Sequence, residues 1–437
     1  MTSKPKQTNQ WQQTLRQALD SRLQPAYLRL VSVALLVLGV AMLAVSFATS
    51  DRGRTYFGPP LGNDFAGFFV AAKILDRGEP ARLYDRGLHD ELYHDLLPNL
   101  EPGDSIPYVH PPFVAGLLRP LTWIPYEPAV AIWLMISASL YGVGVWLLLL
   151  TLPDLRREFG GLVLLIAFSF EPFLMECWLG GQLSAVGFFS YALAWFALSR
   201  DRPIVSGMAL GLSFYKPTLL LLTLPMLVIG RRWAMLLGMT ITGFVLAGLS
   251  LAFVGWETSI GYLDVLLSFR KSASGGGLRI LTWKYVDLNN SLRLLCGGKS
   301  PIVTFAFVLL SLIPFIWLAG CWWRWPRLEA NHRQWLWGAT LAWLPVLNLY
   351  VGVYDSIFVV QSVLLAVGVL LNERGSETPL IRSGLAYWAL AIAGSAWFSQ
   401  SLARNSGVQV YTLMMIGFGL FLLRRASLKV STGSVPR

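Results

Sequence analysis

The chain has 437 residues, of which 55% are hydrophobic and 14% charged, and its mean hydropathy is +0.55. Soluble domains carry about 25% charged residues, so the composition excludes an ordinary water-soluble fold. The net charge of +11 does not point to nucleic acid, because no basic patch with interleaved aromatic residues accompanies it.

In chain order, residues 1–29 are a polar, basic head carrying Lys4, Lys6, Arg16, Arg22 and Arg29. The run 30–50 behind it has the ~20 apolar residues needed to span hydrocarbon. It lacks a small-residue cleavage site and reads as a retained helix rather than a signal peptide. Runs of similar character recur at 128–153, 177–199, 233–256, 300–323, 334–354, 356–372, 383–403 and 405–423. A further run, 159–179, qualifies if Glu171 and Glu176 are tolerated inside it. These runs predict an all-α polytopic membrane protein with about ten full spans.

Between Arg202 and Arg231 lie only 28 residues. Two arms of about 14 residues rise roughly 20 Å each, short of a ~30 Å core. The stretch 203–230 is therefore expected to be a hairpin of short helices, with Lys216-Pro217 at its apex, since proline disfavours helix at the residue before it. Irregular backbone at that depth survives only where it lines a cavity or is buried in protein.

Arg156 with Arg157, Arg200 with Arg202, Arg231 with Arg232, then Arg324, Arg327 and Arg333, Arg374 with Arg382, and Arg424 with Arg425 mark alternate turns. Cationic turns stay cytoplasmic. Both termini are thus expected in the cytoplasm of a plasma (inner) membrane, and loops 51–127 and 257–299 outside, each carrying interfacial helices. The expected organisation is a head 1–29, a transmembrane domain 30–424 containing those two loops, and a tail 425–437. The first loop holds eleven acids against seven bases, so the basic excess belongs to the cytoplasmic rim and its contact with anionic membrane lipids. Cys177, Cys296 and Cys321 form no disulfide or metal spacing. Neither do His89, His94, His110 and His332 form an HExxH pattern, and no metal or cofactor is expected.

The candidate site follows from where polar groups fall. Ionisable residues at membrane depth cost at least ~2.5 kcal/mol and are functional candidates by default. Glu171, Glu176, Lys216 and Asp355 all lie toward the outer boundary. Asp64 emerges just beyond the first span on the same side, at the head of "FAGFFVAAKILD", whose Phe65, Phe68, Phe69, Ala72 and Leu75 follow helical spacing with Lys73, Asp76 and Arg77 opposite. That spacing predicts an interfacial helix. Gln182 starts a helix from the same face, "PYVHPPF" returns His110 to it, and Asn289-Asn290-Ser291 starts another. Each has a structural reading beside a functional one. Asp64, Asp355, Gln182 and the Asn pair suit helix starts, Lys216 suits snorkelling, Glu171 and Glu176 suit local polar pairing, and His110 suits a turn.

The blocks "NDFAGFFVAAKILDRGEPARLYD", "YVHPPFVAGLLRPLTWIPY", "GGQLSAVGFFSYALAW", "GMALGLSFYKPTLLLLTLPMLV" and "LNNSLRLL" occur in the order seen in glycosyltransferase family 87. The chain resembles these DUF2029-type membrane glycosyltransferases of the GT-C fold, some of which use polyprenyl-phosphate-mannose. The resemblance implies a catalytic aspartate at Asp64 and a donor-side lysine near Lys216. Family members commonly have Tyr where this chain has His110. The late helix start of the mannosyltransferases carries a histidine, whereas here it reads "LYVGVYDSIFVV", with Tyr354 and Asp355.

The implied reaction moves a hexose, mannose by resemblance, from a polyprenyl-phosphate donor to an extracytoplasmic lipid or glycan acceptor. A carboxylate takes the hydroxyl proton and cations or other donors steady the leaving phosphate. One base without a second nucleophilic carboxylate means single displacement with inversion. Two other classes stay open. A transporter or flippase would also show a broken hairpin with intramembrane charges. A lipid-linked glycan polymerase or ligase would place basic residues in a large late loop, as Arg270, Lys271, Arg279 and Lys284 do.

Overall fold

A computed structural model describes residues 24–51, 54–99, 105–275, 281–374 and 384–427, with the backbone alone for 268–275 and 373–374. Lys4, Lys6, Arg16, Arg22, Arg279, Arg382 and the side chains of Arg270, Lys271 and Arg374 lie outside the described residues. The described chain is all-helical, and its extended pairings are two isolated bridges, Asp51 with Arg54 and Tyr285 with Gly352.

Six helices are long and apolar enough to cross a membrane: Pro25–Ala48, Tyr126–Leu150, Trp233–Leu267, Pro301–Trp323, Val353–Asn372 and Val410–Ser427. A seventh span arises if Pro153–Phe168 and Pro172–Leu179, bent by 55°, are taken together. Two of the runs condense into shorter helices. Run 177–199 yields the 15-residue Ser184–Leu198, because the turn at Gly180 and Gly181 uses its first residues. Run 334–354 yields the 14-residue Ala330–Trp343, followed by an irregular stretch down to Gly352.

The hairpin forms as its length demands. Pro203–Gly211 leads through a 3-10 turn, Leu212–Tyr215, to Lys216, and a second turn, Pro217–Leu219, starts the return helix Leu220–Ile229. Lys216 is extended at φ −139 and ψ 83, the conformation proline imposes on its predecessor.

The helix from Trp233 continues past 257, into the segment expected to carry an interfacial helix. It breaks at Gly255, where φ is +75, a conformation only glycine adopts freely, and then resumes. Beyond the break Trp256, Ile260, Leu263 and Leu267 form an exposed apolar stripe while Thr258 and Tyr262 are buried, the pattern of an interfacial helix. By contrast Phe65–Asp76 is covered on all but two of its positions rather than exposed along one face. Every residue from Phe65 to Leu75 except Lys73 is buried. The helices Arg86–Leu96 and Pro112–Leu118 and the turn Arg119–Trp123 pack over it. An amphipathic pattern states which face prefers burial but not what else the chain lays over the rest.

Candidate active site

The turn that carries Asp64 is stapled to the bundle through its backbone. The Tyr126 hydroxyl donates to the Leu61 carbonyl at 2.6 Å, and the Trp133 indole donates to the Gly181 carbonyl at 3.0 Å. The Asp64 N–H donates to the Gly180 carbonyl at 3.1 Å. Phe65 stacks on Trp133 at 5.7 Å between ring centres. Gly181, at φ +68, brings its backbone against the Gly62 carbonyl, where a Cβ would collide. These contacts fix the position of Asp64 without using its carboxylate.

That carboxylate does not cap the helix. Asp64 is itself helical, at φ −67 and ψ −22, and makes no side-chain capping bond. Burial pushes its carboxyl up to about 7, Lys284 and Lys216 pull it down, and Glu176 pushes it further up. A half-buried carboxyl with no hydrogen bond among the described residues and an elevated pKa can take a proton from a hydroxyl near neutral pH.

Lys216 and Asp355 meet directly. The Lys216 ammonium donates to Asp355 Oδ2, and Ser184 Oγ donates to Asp355 Oδ1 at 2.7 Å. Asp355 is 0% exposed and the Lys216 side chain 17%. The Lys216 ammonium also lies 5.0 Å from the centre of the Tyr354 ring, and the Gln182 side chain lies against the Tyr354 hydroxyl. Asp355 therefore neither caps its helix nor stands open, since both oxygens are occupied. Removing one partner of such a pair costs about 3–5 kcal/mol.

His110 sits beside this group. Its Nδ1 lies 3.0 Å from the Tyr215 carbonyl, one residue before Lys216, and its ring meets Phe68 edge-on at 5.1 Å. Burial pulls its pKa down to about 4 against the Tyr215 hydrogen bond, with Lys216 pulling the same way as burial. The imidazole is thus neutral at physiological pH. Since a carbonyl only accepts, Nδ1 holds the proton and Nε2 keeps its lone pair.

Glu176, on the π-helical segment Pro172–Leu179, accepts from the Gln400 amide at 2.5 Å. Glu171 is buried at the preceding bend, and its Oε2 has no hydrogen-bond partner among the described residues. Asn290 is not drawn into the group. Its amide donates to Asp287 Oδ2 at 2.8 Å and its N–H to Asp287 Oδ1 at 2.9 Å, so it completes the cap of Leu288–Leu295. Asp287 also accepts from the Val351 N–H at 3.0 Å. Burial raises its pKa to about 6, opposed by the Asn290 and Val351 hydrogen bonds.

Sequence reasoning missed Ser184, Gln400 and Asp287. It met Lys284 only as part of a basic loop, and that lysine is the strongest opposing charge on Asp64. The turn Thr282–Lys284 is held by the Gln409 amide, which donates to the Trp283 carbonyl at 3.0 Å, and by the Arg404 guanidinium 5.7 Å from the Trp283 ring centre. Among the described residues no group of three or more His, Cys, Asp or Glu side chains is arranged to hold a metal ion.

The site combines an uncapped carboxyl, two lysines, a neutral imidazole and amide and hydroxyl groups at one end of a membrane bundle. No curated protein and no solved structure matches the chain. A family model, glycosyltransferase family 87, matches residues 108–346. His110, Glu171, Gln182, Lys216 and Asn290 lie within that match, while Asp64 and Asp355 fall on either side of it. The match covers more than half of the chain, which belongs to glycosyltransferase family 87 and is a membrane glycosyltransferase.

Proposed function

We propose that the protein transfers a hexose, with mannose the sugar its family resemblance favours, from a polyprenyl-phosphate donor to an extracytoplasmic lipid or glycan acceptor. The observation that carries this reading is the Asp64 carboxyl, held by its backbone, free of capping duty and pushed up to about 7 by burial. In its ionised form it takes the acceptor hydroxyl proton as the oxygen bonds to the anomeric carbon. The bond from that carbon to the phosphate oxygen breaks, and the polyprenyl phosphate leaves with the electron pair. Attack opposite the leaving group inverts the configuration.

Lys216 supplies positive charge on the donor side, but it does so as part of a pair. Asp355 compensates it before the donor arrives and fixes its direction. The lipid tail stays in the bilayer while the sugar reaches Asp64, which suits a site between the apex of the broken hairpin and the turn that carries Asp64. In this reading Gln182, Tyr354 and Glu176 bond sugar or acceptor hydroxyls. Incubating the full-length protein with radiolabelled polyprenyl-phosphate sugars, and in parallel with polyprenyl-diphosphate glycans, tests the reading. Transfer from a monophosphate donor supports it, and transfer from the diphosphate glycans alone overturns it in favour of a polymerase or ligase.

A further inference from the structure

At the hairpin end remote from Lys216, buried hydrogen-bond donors collect without acceptors. Arg232 lies in the turn after Leu220–Ile229, and Arg333 lies on the helix Ala330–Trp343. Their guanidiniums stand 5.5 and 5.9 Å from the centre of the Trp325 ring. Trp322 stacks on that ring at 4.6 Å and lies 6.2 Å from Trp337. The Nε groups of both arginines, the indole Nε1 groups of Trp325 and Trp337, and Nδ1 of His332 are all buried without a hydrogen-bond partner among the described residues.

Among the described residues neither arginine has an ion pair. Burial, then Arg333, hold the Arg232 guanidinium below its ordinary value, and Asp201 opposes them more weakly. Buried N–H groups in folded proteins are almost always bonded to protein, water or an ion. Two half-buried guanidiniums near one ring repel unless an anion screens them. The planar fork of arginine matches a phosphate in two-point contact.

The surroundings indicate where that phosphate comes from. Trp233 follows Arg232 directly and is 63% exposed; Trp323 follows Trp322 and is 60% exposed. The Arg231 guanidinium lies 4.4 Å from the Trp323 ring centre. Exposed indoles at the ends of membrane helices sit at the headgroup level. We propose that Arg232 and Arg333 bind the phosphate of an anionic phospholipid at the bundle end opposite Asp64, with Trp233 and Trp323 lying along its glycerol and upper acyl chains.

Native mass spectrometry and thermal denaturation of the full chain in detergent, with phosphatidylglycerol or phosphatidylcholine added, test the site. Two cations at a membrane surface correspond to a preference on the order of 30-fold for the anionic lipid. Arg232→Gln and Arg333→Gln should each cut that preference severalfold, whereas Arg327→Gln, at an exposed rim arginine, should keep it. No preference in the wild type, or an unchanged preference in both glutamine variants, overturns the proposal. Should either variant fail to fold, Arg232→Lys and Arg333→Lys, which keep the charge but lose the fork, must show a reduced preference, and a full one counts against the site. A melting-temperature rise with inorganic phosphate alone as large as that with phosphatidylglycerol would assign the site to a free anion and overturn the lipid.

Discussion

The Lys216 ammonium donates to Asp355 across 139 positions of sequence, joining the apex of the broken hairpin to the start of the helix that follows Gly352. Asp355 is fully buried and its second oxygen is taken by Ser184. Lys216→Met therefore strands a buried carboxylate, a loss of about 3–5 kcal/mol. Lys216→Met combined with Asp355→Asn should recover part of it, because coupled sites are not additive. Thermal denaturation of the two single variants and the double variant measures this. Losses that simply add would mean that the two side chains act independently.

Asp64→Asn keeps the size of the side chain and removes the proposed base. Transfer should fall ~10²-fold or more, the usual scale for a general base, with the protein still folded. Normal turnover in the asparagine variant would move the base elsewhere.

The same carboxyl makes opposite predictions for rate and stability. The base works when ionised, so the rate should rise with pH through a limb near 7. For stability the sign reverses. The folded-state value, about 7, lies above the ordinary 3.8, so the contribution of Asp64 to stability is fully present below about 3.8 and is lost as pH rises through about 7. Above pH 7 Asp64→Asn should melt higher than the wild type, with the gap shrinking toward pH 5. An asparagine variant that melts lower at pH 8 would indicate that the carboxylate is stabilised in the fold after all.

Much of this architecture could be read before any coordinates. The hairpin was legible because 28 residues cannot cross twice and Pro217 constrains Lys216. Asp64 was legible as a position, but the spacing suits a cap as well as a base, and only the backbone angles show that its carboxylate does not cap. The break at Gly255 was not legible, because glycine in an apolar run is also compatible with an unbroken helix. Nothing local links Lys216 to Asp355 or Glu176 to Gln400, whose partners lie 139 and 224 positions apart. Tertiary packing alone creates those pairs.

Topology can be tested with single thiols in a Cys296→Ser background, since Cys296 is exposed. Glu91→Cys should react with a membrane-impermeant reagent in intact cells, and Arg157→Cys and Arg327→Cys only after permeabilisation. Labelling at 91 from the cytoplasm alone would place Asp64 on the opposite face of the membrane.

The last prediction concerns the charges that set the Asp64 value. After burial, Lys284 is the strongest influence and pulls the carboxyl down, while Glu176 pushes it up. Lys284→Met removes the pull, so the rising limb of the rate profile should move to higher pH. Glu176→Gln removes the push and should move the limb to lower pH. Neither residue needs to touch the acceptor for these shifts to occur, because Coulomb interaction acts across several ångströms in a partly buried site. Rate profiles between pH 5 and 9 for wild type and both variants decide the point. Opposite displacements identify the titrating group as a carboxyl flanked by both charges, which is the environment of Asp64. Displacement in the same direction, or none, would mean that the limb belongs to another group and that Asp64 is not the base.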